Sequence, residues 1–340
     1  VERILIVAPS WIGDAVMSHA LIQRLREKSP DVHIAVTAPA WVLPVYRRMA
    51  DVTEVIENPF AHGDLRLLDR RAFGKSMAAR GFTHAYVLPN TFKSALLTWF
   101  AGIPTTAWRG EKRGWIVSDC RDLDETRWPT MAERFAALAD PLHVERKPLR
   151  TPQLRVDQTA QRATLARLGL AAHQTIVALC PGAEYGPAKR WPVQHAAAYA
   201  KARLAEGNAV WLFGGKGDRE IAEAIRQQSS DAVQNLCGNT SLEDAIDLLA
   251  MADHVITNDS GLMHIACAVG APVVALYGSS SPAFTPPLSP KARVVSLGVE
   301  CSPCFKRACP LGHFKCMNDM TAAVVEAERS KPERAAIPAR

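Results

Sequence analysis

The sequence predicts an α/β protein of two domains, each built on a mostly parallel sheet, and three observations carry that prediction. Its 340 residues, 48% of them hydrophobic, are too many for one comfortable core and too apolar for a disordered chain. Short β-branched apolar runs alternate with segments of helical period, the pattern of strands joined by crossover helices. The alternation restarts after residues 148–157, a proline-containing stretch without periodicity that reads as the interdomain connection.

Residues 3–8 form an uninterrupted apolar run and read as a strand buried on both faces. The turn Pro9-Ser10-Trp11-Ile12-Gly13-Asp14 follows, and residues 15–26 read as a helix because Val16, Ala20, Leu21 and Leu25 recur at helical spacing. Residues 32–37 and 51–56 are the next strands, with a helix over 41–49 between them. A strand at 85–88 then leads into a helix over 92–100. In the second half the expected strands are 175–179, 209–213, 254–257 and 273–277, with helices at 193–204 and 242–251. The expected domains are 1–150 and 173–340, joined by a linker region over 151–172. Residues 261–277 are apolar enough to raise the question of a membrane span. His264 and the Gly270-Ala271-Pro272 break favour a buried helix, turn and strand. The opening Val1-Glu2-Arg3 shows no secretory leader pattern, so a cytoplasmic protein is expected.

The formal charge of +6 is uneven: residues 1–170 hold 24 Lys and Arg against 18 Asp and Glu, and residues 171–340 hold 16 against 16. An anionic partner steered by the first half and plain solubility both fit this asymmetry. No helix-turn-helix, zinc-finger spacing or RNA-binding aromatic signature points to nucleic acid.

Four segments carry candidate chemistry. The turn at residues 9–14 lies where a strand meets a helix, the usual ligand end of an open α/β sheet. It lacks the three-glycine dinucleotide fingerprint and any Gly-Lys-Ser/Thr, which excludes an NAD site or a kinase-like phosphate loop there. Asp14 reads either as a carboxylate complementing a helix start or as a general base beside Gly13. The loop Pro181-Gly182-Ala183-Glu184-Tyr185-Gly186-Pro187-Ala188-Lys189-Arg190-Trp191-Pro192 offers two cations suited to a phosphate, or a solvated loop anchored by Trp191. Phe213-Gly214-Gly215-Lys216-Gly217-Asp218 again puts glycines at a strand end. Thr257-Asn258-Asp259-Ser260-Gly261-Leu262-Met263-His264 presents a small, polar turn before an apolar helix, where free N–H groups suit a pyrophosphate. Ordinary N-capping by Asp259 or Ser260 and a core role for His264 explain the same residues. Cys301, Cys304, Cys309 and Cys316, with His313 nearby, have spacing that suits a structural zinc, and also suit free thiols.

Residues 4–14, the stretch Tyr86-Val87-Leu88-Pro89-Asn90-Thr91-Phe92-Lys93-Ser94-Ala95, the loop 181–192 and the turn 257–264 together resemble the ADP-heptose:lipopolysaccharide heptosyltransferases, glycosyltransferase family 9. The resemblance runs from residue 3 to about residue 325. It implies a GT-B fold, with two Rossmann-like domains facing across a cleft, the first holding acceptor and the second nucleotide sugar. It implies an inverting transfer of L-glycero-D-manno-heptose from ADP-heptose onto the first heptose of the inner core; a relative acting at another core position, or a non-catalytic nucleotide-sugar-binding protein, are the competing readings. Asp14 then takes the acceptor proton. Lys189, Asp259, Ser260, Gly261 and His264 fall on the donor side, and Trp11, Gly13, Asn90, Lys93 and Ser94 on the acceptor side. No cofactor or divalent ion is required, because backbone donors and basic side chains stabilise the leaving ADP. The implied partner is an anionic Kdo-lipid A acceptor, met by peripheral contact at the inner face of the inner membrane. Glu184 and Tyr185 stand where a relative carries paired threonines, so donor contacts in that loop do not transfer from it.

Overall fold

The structure is a computed structural model that describes residues 2–60 and 63–331, and the chain divides into two compact units, Val1–Gln153 and Leu154–Arg340. In the first unit, β1 (Arg3–Val7), β2 (His33–Ala38), β3 (Glu54–Glu57), β4 (His84–Val87), β5 (Thr105–Trp108) and β6 (Asp119–Arg121) form a sheet in the order β3-β2-β1-β4-β5-β6. In the second, β7 (Ile176–Cys180), β8 (Ala209–Leu212), β9 (Gln234–Asn235), β10 (His254–Asn258), β11 (Val273–Tyr277) and β12 (Ala292–Ser296) take the order β12-β11-β10-β7-β8-β9. Every pairing is parallel.

Both sheets have the doubly wound Rossmann order, in which three strands step outward and the fourth returns to the other side of the first. The direction of winding therefore reverses between β1 and β4 and again between β7 and β10. In an open sheet the loops leaving the carboxyl ends diverge at such a point and leave a crevice. Register brings the loops together: Val7 lies opposite Thr37 on β2 and Val87 on β4, so the three strands end level. Their inner residues are fully buried, as Leu5, Ile6, Ala35 and Ala85 are, which fixes the strand ends on a rigid core.

The expected helix over 15–26 is two helices, Ile12–Met17 and His19–Lys28. The buried Ser18 causes the break: its hydroxyl donates to the Ala15 carbonyl (2.7 Å) and meets the Tyr46 hydroxyl (3.0 Å), so the backbone ladder restarts at Ser18. Residues 261–277 fold as the helix Gly261–Ala268 and strand β11. Among the described residues no helix is long and apolar enough to cross a membrane.

Candidate active site

In the first unit a cavity of about 450 Å³ opens at the β1/β4 switch point. Trp11 and Asp14 reach it from the β1 loop and the helix behind it, Asn90 from the β4 loop, and Lys93 and Ser94 from the start of the helix that follows. Gly13, expected beside them, is not part of the lining. Asp14 occupies the third position of the helix Ile12–Met17, whose N-terminal residue Trp11 supplies no side-chain cap. Burial pushes the Tyr46 phenol far up, the Ser18 hydrogen bond opposes this, and the nearby Asp14 charge adds to the rise. Lys93 stands in the first turn of the helix Phe92–Ala101, and its ammonium takes no partner among the described residues. Thr91 and Ser94 share a hydroxyl hydrogen bond of 2.6 Å that fixes that helix start.

Sequence reading missed the group that sets this rim. Arg113 is fully buried and makes no ion pair among the described residues, although the Glu111 carboxylate is near enough to favour its charge. Its guanidinium donates to the Trp108 carbonyl (2.6 and 3.2 Å), to the Pro89 carbonyl, and to Asn90 Oδ1 (3.0 Å). Burial pulls its pKa below the ordinary arginine value. The fork thus ties the loop 109–115 to the residues that line the cavity, a geometry lysine does not reproduce. Glu111 accepts from the Phe92 N–H at 2.8 Å on the same loop. Gly110 is required there, because a Cβ would stand 2.5 Å from the Asn90 carbonyl oxygen. Arg70 also lines the cavity, but its guanidinium donates to the Asp64, Leu65 and Lys93 carbonyls and lies over the Phe60 ring.

In the second unit the loops after β7 and β10 flank the other switch point and bring Lys189 to Asp259. The Lys189 ammonium donates to Asp259 Oδ2 at 2.6 Å and sits 5.1 Å from the Tyr185 ring centre. Asp259 is nearly buried, and its second oxygen accepts from the Thr285 hydroxyl at 3.4 Å. Ser260 has extended N-cap geometry before the helix Gly261–Ala268 but makes no side-chain capping bond. Simple capping by Ser260 or Asp259 is therefore not what this turn does: Asp259 is engaged with Lys189, and Ser260 leaves the first-turn N–H groups without its side-chain acceptor. His264 lies beneath, fully buried with Nδ1 unpartnered; burial pulls its pKa to about 4, Asp259 opposing and Lys189 adding to the fall. Asn258 holds the two loops together, accepting from Trp191 N–H (3.0 Å) and donating to the Pro181 carbonyl (2.8 Å). Ser279 and Ser280, beyond the end of β11, have buried hydroxyls without partners, a second set of small polar groups at a strand end that sequence reading also missed.

The segment around the four C-terminal cysteines braces the lysine loop. Ala188 N–H donates to the Arg307 carbonyl at 3.0 Å, and the Tyr185 hydroxyl to the Phe305 carbonyl at 2.7 Å. A Cβ on Gly186 would stand 2.4 Å from that Arg307 oxygen. Of the two readings of Cys301, Cys304, Cys309 and Cys316, a structural zinc is not supported: none of the four is in a disulfide, and among the described residues no three His, Cys, Asp or Glu side chains are placed as a ligand set. The four cysteines and His313 line one small pocket beside Ala188, and the carbonyls of this segment hold residues 185–188.

Two Rossmann-type units, each with its candidate site at its own switch point, are the GT-B fold this chain shares with solved heptosyltransferases. The chain belongs to glycosyltransferase family 9, the heptosyltransferases, whose profile matches residues 70–315. It is 45% identical over 306 residues to lipopolysaccharide heptosyltransferase 2 of Escherichia coli, covering 87% of this chain and 88% of that protein. It is 43% identical over 308 residues to lipooligosaccharide heptosyltransferase 2 of Haemophilus influenzae, covering 87% and 88%. The solved ADP-heptose LPS heptosyltransferase II of Escherichia coli superposes with a TM-score of 0.82 at 40% identity, over 96% of this chain and all of that one. An Escherichia coli heptosyltransferase solved with ADP shares the fold, with a TM-score of 0.70 at 20% identity over 96% and 98% of the two chains.

Proposed function

We propose that the protein transfers L-glycero-D-manno-heptose from ADP-heptose to the first heptose of the lipopolysaccharide inner core, with inversion at the anomeric carbon. The observation that carries this reading is the pairing of chemistry with topology: a carboxylate and a lysine line the first switch point, and a lysine beside a helix start without a side-chain cap stands at the second. The names of the relatives supply the sugar and the acceptor.

The first unit receives the acceptor. Asp14 removes the proton from the attacking hydroxyl while its oxygen bonds to the anomeric carbon and the bond to ADP breaks. Trp11, Asn90 and Ser94 shape the acceptor pocket, Gly13 precedes Asp14 in the first turn of the same helix, and Lys93 meets an anionic group of the Kdo-lipid A portion. The second unit receives the donor. Lys189 and the N–H groups at Ser260 and Gly261 stabilise negative charge as it develops on the departing ADP. Asp259 acts by holding Lys189 in place, and neutral His264 supports the turn from below. The enzyme works in the cytoplasm at the inner face of the inner membrane, where its lipid-anchored acceptor is presented.

The test is incubation with ADP-heptose and Kdo2-lipid A acceptors carrying no, one or two heptoses, followed by mass and linkage analysis. Addition of one heptose to the singly substituted acceptor alone is expected. Addition to the unsubstituted or doubly substituted acceptor in its place overturns the assignment of core position.

A further inference from the structure

A patch of aromatic side chains stands on the first unit just outside the cavity rim. Trp99 is 44% exposed and Trp115 70% exposed. The Trp115 ring centre lies 5.8 Å from that of Trp99 and 5.9 Å from that of Phe92, and Trp99 lies 5.0 Å from Phe100. The helix Phe92–Ala101 buries its other face through Ala95, Leu96, Leu97 and Ala101, so the core accounts for that face and leaves Trp99 outside it. Exposed tryptophans gathered into one group are unusual on a water-facing surface. Neither indole N–H donates to a described residue, in contrast to those of Trp41, Trp108 and Trp191. A ring in an apolar medium with its N–H in a wet one is the arrangement tryptophan takes at a membrane interface.

Two further observations select the occupant. The patch is continuous with the acceptor cavity: Phe92 adjoins the lining residue Lys93, and the loop that carries Trp115 also supplies the lining residue Glu111 and is anchored by Arg113. The charges around it are basic. Lys112 is exposed on the same loop, and Arg71 and Lys75 are exposed on the helix Leu67–Ala78, which meets Phe100 at Gly74. The acidic neighbours are engaged, Asp122 with Arg109 and Glu111 with the Phe92 N–H.

We infer that Trp99, Trp115, Phe92 and the flanking Lys112, Arg71 and Lys75 form a docking surface for an anionic phospholipid bilayer, which brings the rim of the acceptor cavity to the headgroup layer. The inference rests on the reading of the acceptor as lipid-anchored. The rings enter the headgroup region and the cations meet lipid phosphates, each contributing separately to binding.

The experiment is sedimentation of the full chain with vesicles of phosphatidylethanolamine and phosphatidylglycerol, and with phosphatidylcholine vesicles, at low and high salt. Binding to the anionic vesicles that weakens with salt is expected, with little binding to phosphatidylcholine. Trp99→Ser/Trp115→Ser should weaken partitioning roughly tenfold or more, the scale of removing two large apolar side chains from an apolar medium. Lys75→Glu/Lys112→Glu, which leaves the rings in place, should weaken binding to the anionic vesicles alone. Both variants should keep wild-type kcat/KM on a water-soluble, deacylated acceptor and lose turnover on acceptor embedded in vesicles. Wild-type vesicle binding by both variants overturns the inference. So does an equal loss on soluble and embedded acceptor, which would place the patch in sugar binding, or a wild-type dimer that the tryptophan variant abolishes, which would make it a self-interface. A protein that binds vesicles as described but transfers heptose to no acceptor would refute the proposed function and leave the docking surface standing.

Discussion

Lys189→Ala should damage the protein in two separable ways. In the folded chain the Lys189 side chain is 18% exposed and its partner Asp259 only 5%, with a 2.6 Å ion pair between them. Removing the lysine leaves Asp259 with one weak contact from Thr285 at 3.4 Å. Stranding a buried carboxylate costs roughly 3–5 kcal/mol; the partial opening on the lysine side argues for the lower end, about 3 kcal/mol. The second loss is a charge-assisted hydrogen bond to the donor phosphates, worth about 1.5–3 kcal/mol, or roughly 10- to 150-fold in ADP affinity. Urea melts and calorimetric titration with ADP measure the two terms. Adding Asp259→Asn to Lys189→Ala removes the stranded charge, so the double variant should regain most of the stability while its ADP affinity stays low. If the folded double variant binds ADP within about twofold of wild type, Lys189 does not contact the donor and the reading of this loop is wrong.

Arg113→Met should raise the acceptor KM about tenfold and leave ADP affinity unchanged, because it unties Pro89 and Asn90 from the loop 109–115 and leaves buried carbonyls unsatisfied. Arg113→Lys should not rescue it, and a wild-type acceptor KM in a folded Arg113→Met variant would remove the loop from the rim. His264 should make stability fall with acid: its pKa is depressed from 6.5 to about 4, so the unfolded chain takes up the proton first. The stability this contributes is complete above about pH 6.5 and is lost as pH falls toward about 4. The slope is about 1.4 kcal/mol per pH unit and the total about 3 kcal/mol. His264→Leu should flatten that part of the pH–stability curve, and an unchanged slope would show that folding does not depress the His264 pKa.

The strands that bury both faces were legible because a continuous apolar run between two turns has no stable place on a solvated surface: β1, β7, β10 and β11 all lie within a residue or so of their expected bounds. β5, β6, β9 and β12 were not. β6 is Asp119-Cys120-Arg121, and β5 joins it through Thr106, whose hydroxyl meets His84 (2.9 Å) and donates to Asp119 (3.0 Å). Side chains that hydrogen-bond across strands carry no hydrophobic signal. The same contrast holds in the sites. Asn258-Asp259-Ser260-Gly261 announced itself as a small polar turn after a strand, and Gly278-Ser279-Ser280 after β11 offered the same signal. Arg113 offered none: among Arg109, Glu111 and Lys112 it reads as one more solvated charge, and only the folded backbone shows the carbonyls that surround it. The cysteine spacing left zinc and free thiols both open, since a ligand set depends on side-chain geometry that spacing does not fix.

The central claim is that the carboxylate at the first switch point is the catalytic base, and the most direct test is the pH dependence of kcat for wild type and Asp14→Asn with saturating ADP-heptose and acceptor. Asparagine keeps the shape of the side chain and a hydrogen-bonding oxygen but does not accept the proton. A base at Asp14 predicts a fall in kcat of roughly 10²- to 10⁴-fold with ADP affinity unchanged, and loss of the acid limb that the wild type shows as its carboxylate is protonated. A folded Asp14→Asn enzyme that turns over within about threefold of wild type and keeps that limb contradicts it, leaving Asp14 as an acidic residue that only complements its helix start.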